Sequence, residues 1–146
     1  LRSGAPALVA RVAHLFGGSS RPPGRANLAA RFLQQARAGE PILVTRGQVL
    51  NPTLVADIVP ACLTLLERGA TGLFHLTGEG SCSAEQFARA VLEFAQLRTE
   101  IRVVARDSRP APRARMTVLE NRRWAALGLP PLPTWRASLA RSISAL

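Results

Sequence analysis

Lysine and tyrosine are both missing from these 146 residues, and all 19 basic side chains are arginine. Within the chain, that excludes any reaction whose proton donor is a tyrosine or whose charge partner is a lysine. Histidine occurs twice and cysteine twice, with neither a CxxC pair nor a His cluster, so no metal-ligand spacing is present. Cys62 and Cys82 stand alone, and Cys62 falls on the apolar side of a predicted helix, where a free thiol acts as a small hydrophobe. A reduced, cytoplasmic setting is therefore expected. The longest apolar stretch, 54–66, is interrupted by Asp57 and Pro60 and falls short of the ~20 residues a membrane span needs. Near the N-terminus, Arg11 and His14 break the apolar run a signal peptide would require.

Acidic residues are scarce, nine in all, which leaves a formal charge of +10. Between Arg98 and Arg123 lie eight arginines against Glu100, Asp107 and Glu120. A nucleic-acid surface interleaves such charge with stacking aromatics. Aromatics make up only 5% of this chain, and Trp124, the one nearby, falls in a helical pattern. Neither nucleic acid nor membrane is expected as a partner. The arginines read as a solvated face in which one or two serve a ligand phosphate.

What is present is an alternation of strand and helix. Ala7–Ala13 reads as a buried parallel strand, followed by a Gly/Pro-rich loop over 16–24. An amphipathic helix over 26–38 carries Leu28, Ala29, Phe32, Leu33 and Ala36 on one side. A second strand, 42–45, precedes the turn Arg46-Gly47-Gln48. Asn51-Pro52-Thr53 is expected to start a helix with the proline in its first turn, a kink or break being expected at Pro60. A third strand spans 72–77. Ser83 and Gln86 form a capping box for a helix burying Phe87, Val91 and Phe94, and 101–104 reads as an edge strand. Thr117 and Glu120 suggest a second capping box, and Thr134 caps a last helix with Trp135, Leu139 and Ile143 at four-residue spacing. The class is α/β.

No active site assembles from these residues alone. His75, mid-strand, reads as a packed residue. His14 lies at the C-terminal end of a strand, where α/β sheets bind ligands. Asp57 is expected to cap or pair within its own helix. Gly78-Glu79-Gly80 is too short for a dinucleotide fingerprint.

Read in order, however, five segments resemble one family. Arg11-Val-Ala-His-Leu-Phe-Gly17 is similar to the R-T-S-W-V-F-G strand end of dTDP-4-dehydrorhamnose reductases, a branch of the extended short-chain dehydrogenases. Gln48, Asn51-Pro-Thr53 and Asp57 resemble the Q-x-G-S-P-T…D segment, and Gly72–Gly78 with Ser83 and Phe87-Ala88 resembles G-x-Y-H-L-T-G…S…F-A. Arg109-Pro110 with Arg115-Met116, and Leu132-Pro-Thr-Trp-Arg136, resemble the R-P…S-R-L and L-P-x-W-R endings.

The resemblance implies the C-terminal part of an NAD(P)-binding Rossmann-type enzyme that reduces a 4-keto nucleotide sugar in dTDP-rhamnose biosynthesis. Residues 1–146 would supply its last Rossmann elements and a small α/β substrate-binding lobe. The family's Tyr-x-x-x-Lys pair and Gly-rich turn, which carry the proton chemistry and most of the NADPH or NADH contacts, would lie upstream. The chain alone is then expected to be inactive, with no catalytic residue or metal of its own. A homodimer is one option for the parent. By this resemblance His14 replaces the family's Trp beside the sugar, and Gln48, Asn51 and Thr53 line the nucleotide-sugar side of the cleft. Arg109 is expected to hold the diphosphate through its guanidinium fork. A turn followed by a helix cap is the plainer explanation of Gln48, Asn51 and Thr53. A non-catalytic regulatory subunit, like that of methionine adenosyltransferase in the same branch, is the alternative function.

Overall fold

Two parallel strand pairs, each backed by helices, form the frame of the computed structural model, which describes residues 6–18, 27–105 and 114–144. Strand β1 (Leu8–Arg11) pairs with β6 (Gly72–His75), in register from Leu8 opposite Gly72 to Arg11 opposite His75. Their connection runs through helix α2 (Val55–Glu67). Ile58, Ala61 and Leu65 of α2 pack with Phe74, Leu76, Trp124 and Leu132, and Leu8 and Ala10 border this cluster. β1 is not buried on both faces as its composition suggested: Leu8 and Ala10 are half-buried, whereas Val9 and Arg11 are exposed. Only alternate side chains can reach the helix behind a strand.

The second pair joins β3 (Ile42–Thr45) to β8 (Ile101–Val104), also in parallel. Ile42 and Val44 point into the larger core, and Leu43 is half exposed. That core is closed by α1 (Leu28–Arg37), α3 (Ala84–Ala95) and α5 (Trp135–Ser144). Phe87 of α3 is its hub, with ring centroids 5.7 Å from Phe16, 6.4 Å from Phe32 and 5.9 Å from Trp135.

Helix starts follow local chemistry. The Asn27 side chain accepts from the Ala30 N–H at α1. Ser83 and Gln86 form the reciprocal box expected at α3, and Thr134 accepts from the Ala137 N–H at α5. Two expected starts are displaced. Thr53–Leu54 is a short strand, β5, paired with β2 (Leu15–Phe16), so α2 begins at Val55 rather than at the proline. Thr117 and Glu120 form no box; helix α4 is only Arg122–Ala126. In both places a long-range partner holds a threonine of the expected helix start, Thr53 through His14 and Gly78 and Thr117 through Val49.

Pro60 does not break α2, which continues for two more turns. Burial of Ala61 and Leu65 outweighs the one lost backbone bond. Asp57 bonds outside its helix, accepting from Ser138 Oγ (2.5 Å) and from the Arg141 guanidinium, both on α5. The carboxylate thereby ties the two cores together.

Candidate functional site

Beyond the C-terminal end of β1 the chain turns sharply at His14, whose φ of +42° lies in the left-handed region. Such a conformation is uncommon for a residue with a Cβ, and strain of this kind collects at functional sites. Here the surrounding bonds hold it. The His14 carbonyl accepts from the Thr53 N–H (3.2 Å), and His14 Nδ1 lies 3.4 Å from Thr117 Oγ1. Ligands of parallel α/β sheets bind at this end of the strands.

Four segments converge beside it. β4 (Val49–Leu50) pairs antiparallel with β7 (Cys82–Ser83), and on its other side bridges to Met116. Val49 N–H donates to Arg115 O (2.8 Å), and the Thr117 N–H (3.3 Å) and Oγ1 (3.2 Å) donate back to Val49 O. Gln48 precedes β4 and is half-buried, its carbonyl accepting from the Ala84 N–H (3.1 Å).

Asn51 and Thr53 are buried and turn their polar atoms inward. Asn51 Oδ1 accepts from the Leu119 N–H (2.6 Å), and its Nδ2 donates to Gly80 O (2.7 Å). Thr53 Oγ1 donates to Asn51 O (3.1 Å) and accepts from the Gly78 N–H (3.1 Å). A Cβ on Gly78 would sit 2.9 Å from Pro52 O, so only glycine allows these chains so close. Asn121 closes the network, accepting from Thr77 N–H (3.0 Å) and Oγ1 (3.2 Å) while donating to Thr77 O (2.7 Å).

Of the five anticipated site residues, His14, Gln48, Asn51 and Thr53 thus gather around β4 and β5, and Arg109 lies outside the described residues. His75 stands apart, half-buried, on a cleft of about 510 Å³ between β6 and the 118–123 segment. Thr117 and Asn121 escaped sequence reasoning: Thr117 looked like a helix cap, and nothing local distinguishes Asn121 from a turn residue. Burial pushes the Cys82 thiol up to about 12 and raises that of Cys62, so neither is an activated nucleophile. Among the described residues no group of acidic, histidine and cysteine side chains could hold a metal, and no helix is long and apolar enough to cross a membrane.

Known proteins with this sequence pattern and shape agree with one another. A dTDP-4-dehydrorhamnose reductase from Mycobacterium tuberculosis is 40% identical over 106 residues, covering 70% of this chain and 35% of the relative. The reductase of the same name from Mycolicibacterium smegmatis is 33% identical over 144 residues, 96% of this chain and 43% of the relative. The Bacillus anthracis dTDP-4-dehydrorhamnose reductase, solved in complex with NADP, superposes with a TM-score of 0.87 at 22% identity, covering 95% of this chain and 48% of that one. A Thermus thermophilus UDP-glucose 4-epimerase solved with NAD reaches 0.79 at 19% identity, over 98% of this chain and 47% of that one. The fold is accordingly that of Rossmann-type extended short-chain dehydrogenases, and the chain spans less than half the length of these relatives. The family description "RmlD substrate binding domain" matches residues 1–146, and the chain belongs to that family.

Proposed function

We propose that this chain is the substrate-gripping portion of an NAD(P)H-dependent dTDP-4-dehydrorhamnose reductase acting in dTDP-rhamnose biosynthesis. The observation that carries the proposal is the whole-chain family match, joined to a strained, partly buried His14 at the ligand-binding end of a parallel strand. In this reading His14 and Gln48 face the nucleotide sugar. Asn51 and Thr53 fix the loops that present them, and Arg109 binds the diphosphate.

The dinucleotide does not fit this chain's own residues. They include no tyrosine or lysine and no G-x-G-x-x-G turn, so in this reading the chain itself contributes neither the hydride nor the proton step. What the chain supplies is grip: hydrogen bonds to sugar hydroxyls and charge for the diphosphate, which orient the keto carbon. A cytoplasmic location and a homodimeric parent accompany the proposal.

The test uses the parent reductase. It should oxidise NADPH or NADH when given dTDP-4-dehydrorhamnose, and Arg109→Ala should weaken sugar-nucleotide binding roughly tenfold or more while leaving dinucleotide affinity nearly unchanged. A parent that consumes no reduced dinucleotide with this substrate would overturn the reading. An unchanged sugar-nucleotide Kd would remove Arg109 from it.

A further inference from the structure

We infer that residues 117–123 are a brace between β4 and the outer edge of β6, and that Asn121 is its positioning residue for the sugar-binding side of the molecule. Every second residue of this segment is bonded to a different part of the fold. Thr117 N–H (3.3 Å) and Oγ1 (3.2 Å) donate to Val49 O on β4. Leu119 N–H donates to Asn51 Oδ1 (2.6 Å). Asn121 accepts from Thr77 N–H (3.0 Å) and donates to Thr77 O (2.7 Å). Arg123 donates to Leu73 O (2.9 Å) and Thr71 O (3.2 Å) on β6 and the residue before it. Between these anchors Glu120 and Arg122 stand out in solvent, paired with each other.

Asn121 is the anchor whose local alternative was given up. It occupies the N-cap position of α4, where an asparagine side chain ordinarily accepts from a helix N–H, yet it makes no such bond. Both ends of its amide go instead to the backbone of Thr77, a buried residue 44 positions away. The Thr77 groups lie on the open side of β6. Gly72 and Leu76 turn their N–H to Ala7 O and Arg11 O, toward β1, so the alternate residues Thr71, Leu73 and Thr77 present theirs the other way. Asn121 and Arg123 therefore fill with side chains the edge where another strand would pair. The functional part of this inference rests on the substrate-binding reading above: the far end of the brace holds β4, and β4 follows directly on Gln48, so the brace keeps the sugar-facing Gln48 in a fixed place relative to the β1–β6 sheet.

Amide hydrogen exchange of the parent protein, read residue by residue by NMR, tests the brace without any ligand. The Thr117 N–H is bonded to Val49 and not to Asn121, so a change there has to travel along the segment. Asn121→Ala should speed exchange of the Thr117 amide roughly tenfold and leave the amides of α3 unchanged. Asn121→Asp keeps an acceptor for Thr77 N–H and loses the donor to Thr77 O; it should give the same change at smaller size, and it serves if the alanine variant does not fold. Arg122→Ala should change neither region. An unchanged Thr117 amide, an equal rise throughout α3, or the same effect from Arg122→Ala overturns the inference.

Steady-state kinetics of the parent with dTDP-4-dehydrorhamnose supply the functional arm. Asn121→Ala should raise KM for the sugar nucleotide roughly tenfold with the dinucleotide Kd unchanged. Simple loss of folded enzyme lowers kcat and leaves KM as it was, so a defect in kcat alone overturns the positioning role. A parent whose Thr117 amide responds to Asn121→Ala but that turns over no dTDP-4-dehydrorhamnose counts against the proposed function and leaves the brace standing.

Discussion

At the scale of single residues, the buried amides and hydroxyls beside the site do the most work. Asn51 satisfies a backbone N–H on one segment and a carbonyl on another. Asn51→Ala strands both in a buried setting, where an unsatisfied group costs about 1–3 kcal/mol. Urea unfolding of the parent should show a midpoint lowered by that order with an unchanged m-value. Cys82 offers a second check. Its thiol is raised by burial to about 12, so at pH 8.5 the reactive thiolate is a small minority. Alkylation of native Cys82 should run roughly a thousandfold slower than that of a free thiol, and unfolding should abolish the difference. Because the folded thiol holds its proton more tightly than the unfolded one, its contribution to stability is present below about pH 8.5 and is lost as pH rises toward 12.

At the scale of elements, Asp57 docks α5 on α2 by accepting from Ser138 and Arg141. Asp57→Ala leaves the Ser138 hydroxyl buried without its acceptor and detaches the smaller core from the larger one. A loss of about 1–3 kcal/mol is expected, with earlier amide exchange in α5 than in α3; uniform protection across both would contradict the docking role. The elements also show what was legible. The strands at 42–45 and 101–104 and the α3 cap follow from local signals, short β-forming runs and the Ser83–Gln86 box, although the pairing of those two strands with each other spans 59 residues and is not local. The pairings of residues 15–16 with 53–54 and of 49–50 with 82–83 were not legible, since two-residue strands carry no period. Asn51-Pro52-Thr53 looked like a helix start because the tripeptide is one in isolation. Bonds to His14 and Gly78 draw Thr53 into a strand instead.

At the scale of the whole molecule, the β1–β6 sheet is finished on one side only. Arg123 caps the outer edge of β6, donating to Leu73 O (2.9 Å) and Thr71 O (3.2 Å) with its guanidinium 4.2 Å from the Phe74 ring centroid. β1 has no strand on its other edge among the described residues. Val59, Leu63 and Leu66 stand 53–59% exposed along α2, and Val9 and Leu73 are exposed on the opposite face of the sheet. Parallel sheets are ordinarily covered on both faces. Produced alone, the chain should bind ANS and unfold over a broad thermal range, and a sharp cooperative transition for a monomer would contradict this. In the parent protein, Leu63→Glu should destabilise the fold by about 1–3 kcal/mol where α2's outer stripe is covered.

The sequence by itself determined the α/β class, most helices and the family, because periodicity, caps and short motifs are local and survive without knowledge of contacts. It also limited the chemistry, since a chain without tyrosine or lysine cannot supply that pair. Only the tertiary structure decided how the site residues are used. Whether Asn51 turns inward or outward, and what Thr117 meets, depends on segments 29 to 103 residues away, and no local pattern encodes a hydrogen bond across that distance.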